Sequence, residues 1–277
     1  MTDTSTPAMA AHDLEAVDLA LSYDGRSIIE HLDLRVPDGK VTVIVGPNAC
    51  GKSTLLRGMA RLMKPEAGVV QLDGRDIHGI PSRRLATWVG LLPQQPIAPD
   101  GITVGDLVAR GRYPHQGWLR QWSTADEAAV AHALEVTDTI GLAERRIEEL
   151  SGGQRQRVWI AMALAQEPDI LLLDEPTTFL DVSHQVEILD LLHELNQSKG
   201  TTVVMVLHDL NLAARYADHI VVMSAGSIVT SGTPREVITG ETVLQAFGME
   251  SVVIDDPVCG SPMVVPKGRF HQGDPRP

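Results

Sequence analysis

The sequence predicts an α/β fold: a mixed, largely parallel sheet with flanking helices, an antiparallel β part and an inserted helical part. Three observations predict it. Residues 41–45, 170–173 and 203–207 are continuous apolar runs without alternation, the pattern of parallel strands covered on both faces. A glycine-rich stretch, 46–53, joins the first of these runs to a helical segment. The chain from 14 to 77 instead alternates short extended runs with Asp-Gly turns, the signal of antiparallel hairpins.

Residues 1–12 are polar and small and predict a mobile lead without the basic start and apolar centre of a signal peptide. Residues 14–36 read as extended strands around the turn Tyr23-Asp24-Gly25. Pro37-Asp38-Gly39 is a second turn before the strand 41–45, and 54–62 reads as a helix. A further turn at Asp73-Gly74 divides 69–77. Residues 88–92 form a strand ending at Pro93-Gln94-Gln95-Pro96. From 103 to 150 the character turns helical, with 126–136 rich in alanine and glutamate. A second helix, 154–166, packs through Val158, Ala161, Met162 and Ala165. Val186, Leu189, Leu192 and Leu195 recur at helical spacing. Residues 219–223 and 227–231 form a hairpin across Ala225-Gly226. The resulting organisation is one domain over 13–250. Its α/β core, with the antiparallel part, comprises 13–95 and 151–250, and 96–150 is the helical subdomain. The remainder, 251–277, is a Pro- and Gly-rich extension with a mobile end. No internal repeat is visible.

Among 277 residues, 43% are apolar, enough for a sizeable core, but only 4% are aromatic, so aliphatic side chains must fill it. The formal net charge of −13 argues against a nucleic-acid partner. The two cysteines, Cys50 and Cys259, are poor candidates for a disulfide, because Cys50 lies inside the glycine loop. No apolar run approaches the ~20 residues that span a bilayer.

Gly46-Pro47-Asn48-Ala49-Cys50-Gly51-Lys52-Ser53 matches G-x-x-x-x-G-K-[ST], with the preceding strand and following helix that the motif requires. Such a loop aims several backbone N–H groups at one point beside a helix N-terminus, a phosphate cradle. Lys52 can reach β- and γ-phosphates, the Ser53 hydroxyl can ligate Mg²⁺, and Thr54 follows on the helix. Cys50 is expected beside the phosphates, open to alkylation and protected by nucleotide. Ligands of parallel sheets sit at the carboxyl ends of the strands. The three apolar strands end in the glycine loop, in Asp174-Glu175 and in His208-Asp209. Asp174 is placed to share the Mg²⁺ shell with Ser53, and Glu175 to orient or deprotonate a water. The alternative is that both acids cap the turn Pro176-Thr177-Thr178. His208 is placed to donate to a γ-phosphate, or to serve structure alone. Gln94, also at a strand end, could sense the metal or the water. Leu150-Ser151-Gly152-Gly153-Gln154 offers a second anion-ready helix start.

These motifs together resemble the ATP-binding subunits of ABC transporters over about residues 14–248, on a P-loop NTPase core. The resemblance makes Gly46 to Ser53 the Walker A loop, Gln94 the Q-loop glutamine and Leu150 to Gln154 the signature. It makes Ile170 to Asp174 Walker B, Glu175 the catalytic acid, Phe179-Leu180-Asp181 the D-loop and His208 the switch histidine. Tyr23 falls where the family stacks an aromatic ring on adenine. Ala49 stands where glycine is common, and Phe179 replaces a smaller residue. The resemblance implies ATP and Mg²⁺ as cofactors and a head-to-tail homodimer in which each signature completes the partner's site. It implies two integral membrane permease subunits, an extracytoplasmic substrate-binding protein and a place on the cytoplasmic membrane face. Residues 111–117, Thr177-Thr178-Phe179-Leu180-Asp181 and Ser183-His184-Gln185 look like the subgroup importing ferric siderophores, haem or cobalamin. A soluble ATPase of the same fold in cofactor assembly is the rival reading.

Overall fold

In the computed structural model, residues 11–117 and 122–268 are described. Two strands open the chain, β1 (Leu14–Tyr23) and β2 (Arg26–Val36), followed by β3 (Val41–Val45) and helix α1 (Lys52–Met59). β4 (Ala67–Leu72), β5 (Arg75–Asp76), α2 (Ser82–Trp88) and β6 (Val89–Leu92) come next. The helical stretch contains α3 (Val104–Ala109) and α4 (Thr124–Val136), with α5 (Gly152–Ala165) returning to the sheet. β7 (Ile170–Leu173), α6 (Val182–Lys199), β8 (Thr202–Val206) and α7 (Leu210–Tyr216) lead to β9 (His219–Ser224) and β10 (Ser227–Gly232). The chain closes with α8 (Pro234–Val237), α9 (Gly240–Phe247), β11 (Ser251–Asp255) and β12 (Pro262–Pro266).

The main sheet has the order β10-β9-β3-β8-β7-β6, and only β10 runs antiparallel to its neighbour. Its inner strands β3, β7 and β8 are buried along their whole length and almost wholly apolar, because both faces are covered. Val41, Val43 and Val45 point into a core shared with α3 to α7. Ile44, between them, points into a second core shared with α1 and the antiparallel sheet. That antiparallel sheet has the order β2-β1-β4-β5. Helix α1 is thereby clamped between two sheets through Leu55, Leu56 and Met59. This holds the end of the glycine loop against rigid structure on both sides.

In the helical layer, α5 packs on both α3 and α4. Its anchor is Arg112, buried, whose Nε donates to Asp126 Oδ1 at 3.0 Å. Its Nη1 donates to the Ala165 carbonyl at 2.7 Å and Glu167 Oε2 at 2.8 Å. Ser123 and Asp126 form a reciprocal capping box at the start of α4.

Two expectations need correction. His12 does not belong to a mobile lead. It is buried, its Nδ1 lies 2.8 Å from Asp73 Oδ2 and its Nε2 3.2 Å from Asp169 Oδ2. Its ring also meets the Trp88 ring at 5.3 Å. The strand 88–92 begins one residue late, because Trp88 ends helix α2. The Pro- and Gly-rich extension carries a ribbon: β12 pairs with β11 in register Val253↔Val264. Asp256 makes the turn between them, accepting from Val258 N and receiving Gly260 N at its carbonyl. The ribbon docks on α7, where Asn211 both donates to the Val264 carbonyl and accepts from Val264 N, and Arg215 reaches Asp256 at 2.6 Å. The chain end from 269 and Trp118 lie outside the described residues.

Candidate functional site at the strand ends

The glycine loop leaves the carboxyl end of β3. At Gly46 a Cβ would stand 2.2 Å from the Met223 carbonyl oxygen, so only glycine lets the loop pass the end of β9. Gly51 caps α1 at φ 105°, a conformation that glycine adopts without a Cβ clash. Ala49 adopts φ 61° and carries the left-handed penalty of about 1 kcal/mol for a residue with a Cβ. Lys52 is buried, and its Nζ donates to the carbonyls of Gly46 at 2.9 Å and Pro47 at 2.8 Å. Its ammonium thus stays over the loop.

Asp174 follows β7, and its N–H extends the ladder to the Leu92 carbonyl. Its Oδ1 accepts from the Ser53 hydroxyl at 2.7 Å, joining two strand ends. Its Oδ2 is buried without a hydrogen-bond partner. Burial pushes the Asp174 carboxyl above its usual range, against the Ser53 bond. A buried oxygen with unused lone pairs beside a hydroxyl suits a hard divalent cation such as Mg²⁺.

Glu175 sits in left-handed backbone at φ 54°. Its Oε1 lies 2.8 Å from His208 Nε2, while its Oε2 accepts from Gln94 Nε2 at 2.6 Å and from the Thr178 hydroxyl at 2.9 Å. Burial would raise this carboxyl, but the hydrogen bonds from His208, Thr178 and Gln94 outweigh it and hold the group below its usual range. Glu175 is therefore ionised at neutral pH.

A cleft of ≈ 540 Å³ covers these groups. Asn48, Ala49, Gly51, Lys52, Ser53 and Thr54 form one wall. Tyr23, Gln94, Glu175 and His208 stand around the rest. Tyr23 is exposed at its rim. Gly46, Pro47 and Asp174 do not line it; Gly46 and Pro47 hold Lys52 through their carbonyls, and Asp174 holds Ser53. Cys50 differs from expectation, because its side chain turns into the core under the loop and burial pushes its thiol up. Two residues that the motif reading omits also line the cleft: Ile28, and Arg57, one helical turn after Ser53. Thr178, which the sequence places in a turn and in the 177–181 stretch without a role at the site, bonds Glu175.

Ser151, Gly152, Gly153, Gln154 and Asp181 do not line this cleft. Ser151 caps α5 by accepting from Gln154 N at 3.3 Å, and the Gln154 side chain accepts from Ser151 N at 3.1 Å. Gly153 leaves room for His184, whose Cδ2 would lie 2.9 Å from a Cβ there. Asp181 caps α6, accepting from His184 N and the Ser183 hydroxyl, which holds its carboxyl at about 2. The bonds at the signature and at Asp181 are satisfied locally. Tyr113, in the 111–117 stretch, is exposed.

A glycine loop, a hydroxyl–carboxylate pair and an ionised glutamate at the ends of two parallel strands that flank β8 define a nucleoside-triphosphate-binding α/β protein. The sequence profile of the ABC transporter family matches residues 29–178. The chain belongs to that family. It is 55% identical over 251 residues to YusV of Bacillus subtilis (strain 168), named for a siderophore transport system, covering 91% of each chain. It is 51% identical to the ferric enterobactin transport ATP-binding protein FepC of Escherichia coli (strain K12), covering 92% of this chain and 94% of FepC. Among solved structures, a transporter classed as metal-chelate type, in an inward-facing conformation, superposes with TM-score 0.80 and 28% identity. The match covers 93% of this chain and 98% of that one. The dimeric bacterial cassette MJ0796 superposes with TM-score 0.71 and 28% identity, over 79% and 98% of the two chains.

Proposed function

We propose that this chain is the ATP-hydrolysing subunit of an ABC importer that energises uptake of ferric siderophores. The observation that carries the ATPase part is the strand-end cluster, in which Asp174 keeps a bare buried oxygen beside Ser53 while Glu175 is held ionised. The relatives named for siderophore and ferric enterobactin transport support the cargo class.

In this reading the loop amides and Lys52 bind the triphosphate, and Tyr23 stacks on the base. Ser53 and Asp174, with Gln94, would hold Mg²⁺, which when bound supplies charge neutralisation at the phosphate oxygens. Glu175 takes a proton from the water that attacks the γ-phosphorus, and ADP leaves with the bridging oxygen. His208 donates to the γ-phosphate. Such base catalysis contributes about 10²–10⁴ in rate.

The signature and Asp181 lie off the chain's own cleft, which supports a head-to-tail pair in which each copy's signature completes the other's site. The dimeric cassette neighbour supports the same arrangement. The permease subunits, an extracytoplasmic binding protein and a position on the cytoplasmic membrane face follow from the importer reading. Among the described residues no helix is long and apolar enough to cross a membrane.

Purified chain should hydrolyse Mg-ATP, and Glu175→Gln should keep ATP binding, accumulate a nucleotide-bound dimer and lose turnover by at least about 100-fold. Unchanged turnover in that variant would exclude Glu175 as the base. Loss of radiolabelled ferric-siderophore uptake in a strain lacking the subunit, restored by the wild-type chain only, tests the cargo.

A further inference from the structure

We infer that Thr178 is a positioning residue for Glu175: its hydroxyl fixes the direction of the carboxylate that takes the water proton. The inference rests on the ATPase reading above.

Three side chains hold the Glu175 carboxylate, and they come from different places. Gln94 follows β6 and His208 follows β8, so both belong to other strand ends. Thr178 belongs to Glu175's own turn. The Thr178 N–H donates to the Glu175 carbonyl at 3.2 Å, and its hydroxyl donates to Glu175 Oε2 at 2.9 Å. Backbone and side-chain bonds thus close one small ring around Pro176.

The need for such a guide follows from the backbone. Glu175 is left-handed at φ 54°, so its side chain leaves the strand in a direction set by the turn. Phe179, next along, is left-handed as well at φ 66°. Two such residues around a short turn cost about 1 kcal/mol each or more and persist when local contacts over-determine them.

The tether separates the three donors. An ionised carboxylate offers about four acceptor sites, so three donors leave one for the water. Gln94 and His208 reach the carboxylate from other strand ends, and the direction of their bonds depends on how those loops sit. Thr178 is tied to Glu175's own turn by a backbone and a side-chain bond. The hydroxyl therefore serves as the fixed point.

Steady-state Mg-ATP hydrolysis by the purified full chain tests this, with Thr178→Val, Thr178→Ser and Glu175→Gln. Valine keeps the shape and removes the hydroxyl, and serine keeps the hydroxyl. Thr178→Val should lower kcat by about tenfold or more, because a misaimed base loses rate, and should leave KM for ATP within about twofold, because binding groups are untouched. Thr178→Ser should stay within about twofold of wild-type kcat. Thr178→Val added to Glu175→Gln should lower the residual rate no further, since the two act as one unit. Wild-type kcat in Thr178→Val, an equal loss in Thr178→Ser, or an additive loss in the double variant would overturn the inference. Full turnover by Glu175→Gln would overturn the assignment of Glu175 as the base, and the Thr178 role together with it. A dead Glu175→Gln beside a fully active Thr178→Val would overturn the Thr178 role alone.

Discussion

The strand-end cleft and the helical layer each bury an aspartate, and the two are treated in opposite ways. Asp174 is 2% exposed, carries one bonded and one bare oxygen, and has its carboxyl pushed up by burial. Asp126 is also 2% exposed. Hydrogen bonds from Ser123 and Arg112 hold its carboxyl at about 2. Asp126 is scaffold: its charge is paired and its lone pairs are used. Asp174 is kept at a cost in the free chain, and a cation bound there, as proposed above, would offset it.

Exchanging the same atoms in both places should give opposite results. Asp174→Asn should lower Mg-ATP turnover on the order of 100-fold, while the ligand-free melting temperature stays level or rises, because a penalised charge is gone. A clear fall in melting temperature would put Asp174 with the scaffold. Asp126→Ala should do the reverse, leaving Arg112 with Glu167 and the Ala165 carbonyl. Loss of a buried pair costs about 3 kcal/mol, read by urea unfolding, with turnover per folded molecule retained.

Acid sharpens the contrast. The folded-state carboxyl of Asp126 lies near 2, below its ordinary 3.8, so its contribution is complete above about pH 4. It is lost as pH falls towards 2. The stability gap between wild type and Asp126→Ala should therefore close across that window. A gap that persists at pH 2 would mean that the aspartate acts through packing rather than charge. The smallest effect concerns the two thiols. Cys50 is buried with its thiol pushed up, whereas Cys259 is exposed and held below its usual range by hydrogen bonding to Ser261. Stoichiometric iodoacetamide should label Cys259 first and leave ATP binding intact, as peptide mapping and a binding titration would show. Early loss of binding with Cys50 labelled would restore the cleft-facing thiol that the motif alone suggests.

The parts legible in the sequence are those written in consecutive residues. The glycine loop is one stretch, and the acids follow an apolar run, so strand-end logic alone brings Ser53, Asp174, Glu175 and His208 together. What the sequence hides depends on contacts between distant residues. His12 looks like part of a polar lead because Asp73 and Asp169, which hold it, are far along the chain. The ribbon after 250 is disguised by its own turn, whose Asp-Pro and Gly read as loss of structure although Val264 is buried against the core. Cys50 fails differently: its position in the motif fixes its backbone, while its side-chain direction depends on the close approach of β9 behind Gly46. Thr178 needs only a three-residue reach, but propensity reasoning assigns a threonine in that place to a turn and stops.

The docked ribbon has a consequence for how the protein comes into being. Asn211 stands three residues after His208, yet both bonds of its side chain are with Val264. A ribosome supplies the phosphate loop early and this brace near the end. Until residue 264 emerges, the helix beyond His208 lacks two of its anchoring bonds. The setting of the loop that carries His208 therefore depends on a strand made much later, through contacts of long sequence separation that form late in folding.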